Sequence, residues 1–430
     1  MRTIRVLYFL TRAGVLPCAL AAGGLAAQTD TSPSINKVNI TQAVQEAIDH
    51  NLGLLADHYN ISIADARIIT AKLRPNPVVS AGMDYIDFLR AFTPSNSGGP
   101  TEYNLRTDFL LERGGKRERR IEVAQGAREV AQLQLLNTTR TLVLDVQNAF
   151  VDVQQAKDNL ALARENLQAF QSIVDVNATR VRAGDLAKVE LVRTQVAALQ
   201  FQNAVRQAEA KLTTAATKLQ NLMGRSRPAA DFDVVGDLRR DSEPVILENV
   251  TTQALDLRPD LQALRKDQAR SQAEIRSQLA QGKVDFTIGA EYHREFHNGN
   301  ANALGVFFQA PLPVWNRNQG EIERARREQE QIVARIRAAE ADLRTEVRNA
   351  WTQYNTSRGL LESIERDLLG QAREVRDTME YSYRRGEASL VEFLDAQRAF
   401  NEARQSANDA RADFARSLYT IDAISGKAVR

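Results

Sequence analysis

The sequence predicts a mainly α fold with a small β part, dominated by long antiparallel coiled-coil helices and written twice along the chain. Three observations carry this: heptad runs longer than any globular helix face, two pairs of alternating segments, and a phrase that recurs at a fixed offset. The phrase reads RAGDLAKVELVRTQ at 182–195 and RRGEASLVEFLDAQ at 384–397. An offset of 202 residues takes Arg182 to Arg384, Gly184 to Gly386, Glu190 to Glu392 and Gln195 to Gln397, and farther on Gly224 to Gly426. Upstream, an offset of 207 pairs Ala66 with Ala273, Gly82 with Gly289 and Tyr85 with Tyr292. A period this long excludes a solenoid and implies two similar halves packed pseudosymmetrically.

The helices follow from apolar spacing. Val146, Ala149, Val153, Ala156, Leu160, Ala163, Leu167, Phe170 and Val174 step by 3 and 4 without a miss. Ala198, Phe201, Val205, Ala208, Leu212, Ala215, Leu219 and Leu222 do the same after the first break. Phe393, Ala396, Phe400, Ala403, Ala407, Ala410 and Phe414 repeat the pattern in the second half, continuing to Ile421 and Ile424. Sustained heptads mean coiled-coil packing, and alternating alanine with larger residues lets helix axes approach closely. A helix from about Lys116 to Asn177 would be ~90 Å long at ~1.5 Å per residue, more than a compact domain accommodates. At each break, arginine precedes glycine and an acid follows it. Glycine permits the left-handed C-cap, and the charges suit the two helix dipoles, so a capped helical hairpin is the plain reading.

Two regions leave the helical period. Residues 78–88 and 102–111 flank the turn RAFTPSNSGGP, and residues 283–293 and 303–312 flank REFHNGNAN. Each pair reads as an antiparallel hairpin. In the third segment Val284, Phe286, Ile288, Ala290 and Tyr292 alternate with Lys283, Asp285, Thr287, Gly289 and Glu291. In the second, Tyr103, Leu105, Phe109 and Leu111 oppose Glu102, Asn104, Arg106 and Asp108. Segments of this length with one apolar and one charged face fit strands crossing a bilayer.

The N-terminus carries Arg2, Arg5 and Arg12 before an apolar run from Val15 to Ala27. This is an export-signal pattern, 1–27, with cleavage placed near Ala26 or Ala27. Cys18, the single cysteine, lies inside it. No later stretch reaches the ~20 apolar residues of a membrane helix. A net charge of +2 gives no reason to expect nucleic acid. No phosphate loop, zinc spacing or nucleophile constellation is present, so neither an enzyme nor a cofactor is expected. His50 and His58 are too far apart for one helical turn. His293, Glu295 and His297 share a strand face with Glu291, and imidazole with carboxylate can bind a divalent metal. A polar strand end entering a solvated loop is the plainer explanation, and no metal site is assigned.

RPNP at 74–77, GGKRERRIEVA at 114–124, LRPDLQAL at 257–264, PLPVWNRNQGEI at 311–322 and RRGEASLVEFLDAQ, in tandem halves, resemble the TolC-like outer-membrane efflux protein family. The match covers essentially the whole chain after the signal, and PLPVWNRNQG is similar to the heavy-metal-efflux, CzcC-like branch. The resemblance implies a homotrimer whose four strands per subunit close a twelve-stranded transmembrane β-barrel in outer-membrane lipid. Its helices would form a trimeric α-barrel crossing the periplasm. The first repeat is expected over 28–245, with a strand hairpin at about 78–111 and long helices at about 116–223. The second is expected over 246–430, with a hairpin at about 283–312 and helices at about 318–425.

The function implied is a passive exit duct of a tripartite efflux system, working with a periplasmic adaptor and an inner-membrane pump of the resistance-nodulation-division type. Arg182, Gly184, Arg385 and Gly386 would form the tips where the adaptor docks. Glu392 and Asp395 share a helix face, and a solvated face accounts for them by periodicity. By resemblance they match acids that narrow the channel's periplasmic end, with Tyr383 matching a latching aromatic. Ala388 stands where a latch arginine is expected, which leaves Arg384 or Arg385 for that part. The alternative is a periplasmic coiled-coil adaptor, which would carry one hairpin inserted in a lipoyl-like β domain rather than a hairpin and strand pair in each half.

Overall fold

The computed structural model describes residues 37–84, 102–296 and 301–427. The export signal 1–27 with Cys18, Tyr85, the 90–100 turn and His297 lie outside the described residues.

The first half runs β1 (Lys37–Val38), α1 (Ile40–His50), α2 (Leu52–Lys72), β2 (Val78–Asp84), β3 (Glu102–Leu111), α3 (Lys116–Ala183) and α4 (Lys188–Leu222). The second runs β4 (Asp233–Val234), α5 (Leu247–Leu257), α6 (Pro259–Gln281), β5 (Phe286–Glu295), β6 (Ala301–Gln309), α7 (Gln319–Ser363), α8 (Leu369–Arg385) and α9 (Leu390–Ser425). A π-helical turn, Ile364–Leu368, joins α7 to α8. The fold is therefore mainly helical with a small sheet. α3 is longer than the heptads alone indicate, with 68 residues and a length of about 100 Å. Its counterpart α7–α8 differs by the π turn, an insertion that locally shifts which residues face the seam.

β2, β3, β5 and β6 form one antiparallel sheet in that order, with β3 and β5 joining the halves. Phe109 lies opposite Ile288, Leu105 opposite Tyr292, and Tyr292 in turn opposite Leu304. These apolar residues share one face, which Ala81, opposite Leu105, extends to β2, while Phe307, opposite Gly289, lies on the other. The shared face is the exposed one: Leu304 and Val306 are 86% and 83% accessible. The opposite, polar face is the more covered. There Gly289 is buried and leaves room for Asp108, which pairs with Arg106 at 2.9 Å. A protein stable in water would turn this sheet inside out.

The quoted motifs sit at the corners of the fold. RPNP is the extended link from α2 to β2. Gly114 and Gly115, at φ 76° and 68°, turn β3 into α3. Lys116 then sits almost fully buried against Asp285 at 2.6 Å, tying that corner to the start of β5. In PLPVWNRNQG, Asn318 adopts φ 64° and donates its side-chain N–H to the Gln278 carbonyl at 2.8 Å. In LRPDLQAL, Pro259 opens α6, while Arg258 is buried between Asp260 and Glu346. Burial alone would depress Arg258's pKa, but those two carboxylates raise it.

Each half has its own equatorial core. One gathers Val146, Ala149, Val153, Leu219 and Met223 under α1, and the other gathers Val347, Tyr354, Phe414, Leu418 and Ile421 under α5. The two long hairpins, α3 with α4 and α8 with α9, extend from this belt away from the sheet. The α9 seam from Phe393 to Ile424 is buried throughout. The α4 seam is only half-buried over most of its length, and Val189, Val192, Val196 and Leu199 form an exposed stripe beside it.

Candidate functional site

The two hairpin tips meet at the far end of the helices. Gly184 and Gly386 take φ 86° and 80°, the left-handed region that a residue with a Cβ rarely adopts. Each donates its N–H back to the last turn of the preceding helix. The second tip restarts with a capping box, in which the Ser389 hydroxyl accepts from the Glu392 N–H and the Glu392 carboxylate accepts from the Ser389 N–H at 2.7 Å. That N–H, and then the hydroxyl, hold Glu392 below the usual carboxylate range.

Behind the turns lies a shared core. Phe393 stacks between Tyr383 (5.5 Å between ring centres) and Phe170 (6.1 Å), and Phe170 packs on Phe201. Asn177 is fully buried, and its amide donates to the Thr194 hydroxyl at 2.9 Å and the Tyr383 hydroxyl at 2.7 Å. Its Oδ1 has no partner, and an unmet buried acceptor costs about 1–3 kcal/mol. Arg180 reaches across to donate to the Arg384 carbonyl at 2.9 Å, covering the exposed C-terminal carbonyls of α8.

The residues singled out from the sequence therefore fall into two groups. Tyr383 faces inward and joins the tips. Glu392 and Asp395 point to solvent on one face of α9, with Asp395 loosely paired to Arg398 at 3.7 Å. At the first tip, Arg193 occupies the position of Asp395 and binds Glu190 at 2.8 Å, whereas at the second tip Glu392 is held by Ser389 rather than by a cation. Arg182 folds back onto Ala178 and Thr179 of its own helix. Arg384 pairs with Glu380, and Arg385 lies over the Tyr381 ring with Glu387 at 3.9 Å. Neither of the latter two side chains bridges the tips. Arg180 and Asn177 do, with Thr194 holding Asn177 from α4 of the same hairpin, and none of the three is among the residues singled out from the sequence. The signal for Asn177 is its place on the heptad seam, one step beyond Phe170 and Val174, where an apolar residue is expected.

At the other end of the molecule the polar sheet face holds His293 and Glu295. Glu102 of the adjacent strand joins them, and one ligand atom from each of the three lies within 4.8 Å of the others. His297, grouped with them in sequence, lies outside the described residues.

The family model described as outer membrane efflux protein matches residues 43–225 and 250–427. The chain is similar to the cobalt-zinc-cadmium resistance protein CzcC of Cupriavidus metallidurans, 24% identical over 429 residues, covering 96% of this chain and 99% of that protein. It is also similar to the pyoverdine export outer membrane protein OpmQ of Pseudomonas putida, 24% identical over 85% of this chain and 80% of that one. Among solved structures, CusC, which forms a transmembrane channel, superposes with a TM-score of 0.75 at 17% identity, covering 90% of this chain and 92% of its own. The outer membrane protein VceC of Vibrio cholerae superposes with a TM-score of 0.71 at 16% identity, covering 90% and 96%.

Proposed function

The chain belongs to the outer membrane efflux protein family, and from that premise we infer that it is the outer-membrane exit duct of a tripartite efflux system for divalent heavy-metal cations. The inside-out sheet carries the duct reading. Its apolar face suits lipid and its polar face suits an aqueous lumen, whereas the adaptor alternative needs neither. Among the described residues, β2 and β6 each leave their outer edge without a pairing strand in the protomer. Lipid does not tolerate open edges, and four strands are too few to close a barrel. Copies of the chain must therefore supply the missing pairs, and three copies give twelve strands. The exposed stripe Val189, Val192, Val196 and Leu199 gives a second copy an apolar surface along α4. The cargo reading is supported by near full-length similarity to CzcC and by the nickel-cobalt-cadmium resistance protein NccC, 24% identical over 58% of this chain.

In this duct the helices cross the periplasm and the tips face an adaptor coupled to an inner-membrane pump. Arg182, Gly184, Arg385 and Gly386 would present the docking surface. Three copies of Glu392 and Asp395 would ring the narrow end, attracting cations and opposing anions. Tyr383 would hold that end shut indirectly, through Asn177 and the Phe393 stack.

The gate can be tested with Glu392→Gln and Asp395→Asn together. Glutamine keeps the capping hydrogen bond to Ser389, so charge is removed without unwinding α9. In planar bilayers the variant is expected to show weaker block by multivalent cations and higher single-channel conductance. Unchanged block and conductance would remove both residues from the constriction.

A further inference from the structure

We propose that Glu102, His293 and Glu295 form a divalent-metal site on the polar face of the sheet, at the end farthest from the helices. The strand register builds it. Glu102 and Glu295 face each other directly across β3 and β5, and His293 is the next residue along β5 on the same face. Two carboxylates in direct cross-strand opposition repel each other. A cation between them turns that repulsion into attraction. The imidazole Nε2 touches Glu102 Oε1 and lies 3.5 Å from Glu295 Oε1. Tetrahedral coordination with bonds of ~2.1 Å places ligand atoms roughly 3.4 Å apart, so the second separation already matches a bound ion.

All three side chains are half-buried and rise from paired backbone rather than from a loop. One nitrogen and two carboxylate oxygens, completed by water, suit zinc, cobalt or cadmium better than calcium, which takes more oxygens in a larger shell. An incomplete protein shell also favours exchange over permanent retention, as befits a surface that ions pass. The site's place on an exit path rests on the duct reading; its capacity to bind metal does not.

The test uses the full-length assembled protein in detergent, stripped with a chelator and titrated with Co2+ while visible d–d absorption is followed. One Co2+ per chain is expected, with a spectrum showing nitrogen and oxygen ligation. His293→Ala and Glu102→Gln are each expected to weaken binding at least about 10-fold, since even changes outside the ligand set commonly cost that much. Circular dichroism and retention of the oligomer establish that each variant is folded. Glu102→Gln alters one carboxyl oxygen only and serves if His293→Ala fails to assemble. Co2+ uptake that is absent from the parent protein, or undiminished in both variants, overturns the proposal. A parent protein that binds Co2+ while conferring no cobalt, zinc or cadmium export leaves the site standing and removes the cargo reading. Export without Co2+ binding does the reverse.

Discussion

Val306→Arg is expected to abolish stable insertion of the protein in the outer membrane. Val306 lies at the middle of β6, opposite Ala290 of β5, and is 83% accessible on the apolar face. If that face meets hydrocarbon, a guanidinium at mid-depth costs about 2–4 kcal/mol per chain. Every copy in the barrel carries the penalty, and the length of the strand gives a central side chain little room to reach the interface. Ala303→Arg, three residues away on the polar face and opposite His293, is expected to insert normally. The comparison is read as the amount of oligomer in washed outer membranes. Equal insertion of the two variants would mean that the apolar face does not contact lipid.

The second large effect is expected at the tip. Gly386 combines φ 80° with an N–H donated to the carbonyls of Ser382 and Tyr383. Proline fixes φ near −65° and has no N–H, and it also drives the preceding residue away from helical geometry, a local cost of ~3 kcal/mol or more. The change lies at the opposite end of the molecule from the sheet, so insertion should be unaffected. Gly386→Pro is therefore expected to leave oligomers in the membrane while export falls to the level of a strain lacking the gene. Arg385→Glu reverses an exposed charge without bending the backbone and is expected to weaken export in the same direction. Normal export by both variants, with normal membrane levels, would remove this tip from adaptor docking.

Much of this architecture is legible in the sequence because coiled coils and strands write their burial as short periods. The α9 seam from Phe393 onward is buried along its whole length, as its 3 and 4 spacing requires. Gly184 and Gly386 announce the tips because few other residues adopt their φ. The corner motifs are legible for a similar reason: Gly114, Gly115, Asn318 and Pro259 each meet a backbone constraint that other residues meet poorly.

What escapes the sequence is long-range pairing. Asn177 finds Tyr383 across 206 residues, and Arg180 finds the Arg384 carbonyl across 204. No local pattern encodes either contact. Glu102 joins His293 only once the register between β3 and β5 is fixed, so a reading confined to one strand pairs His293 with its own neighbours instead. The short helices α1 and α5 carry too few turns for a heptad count to separate them from the corners around them. The π turn at Ile364–Leu368 leaves the flanking helical pattern intact on both sides, which hides it from a search for breaks.

The most direct test of the central claim, a membrane barrel with an aqueous lumen, is cysteine scanning along β5. Cys18, the single native cysteine, lies within the expected export signal, so after its removal the background is free of thiols. Single cysteines at positions 287, 288, 290, 291 and 292 would be treated in intact outer membranes with a membrane-impermeant maleimide. Thr287→Cys and Glu291→Cys, on the polar face, are expected to label. Ile288→Cys, Ala290→Cys and Tyr292→Cys are expected to stay protected until detergent removes the lipid. Labelling of the apolar-face positions in intact membranes, or protection of the polar-face ones, would contradict a lipid-facing sheet around a water-filled duct.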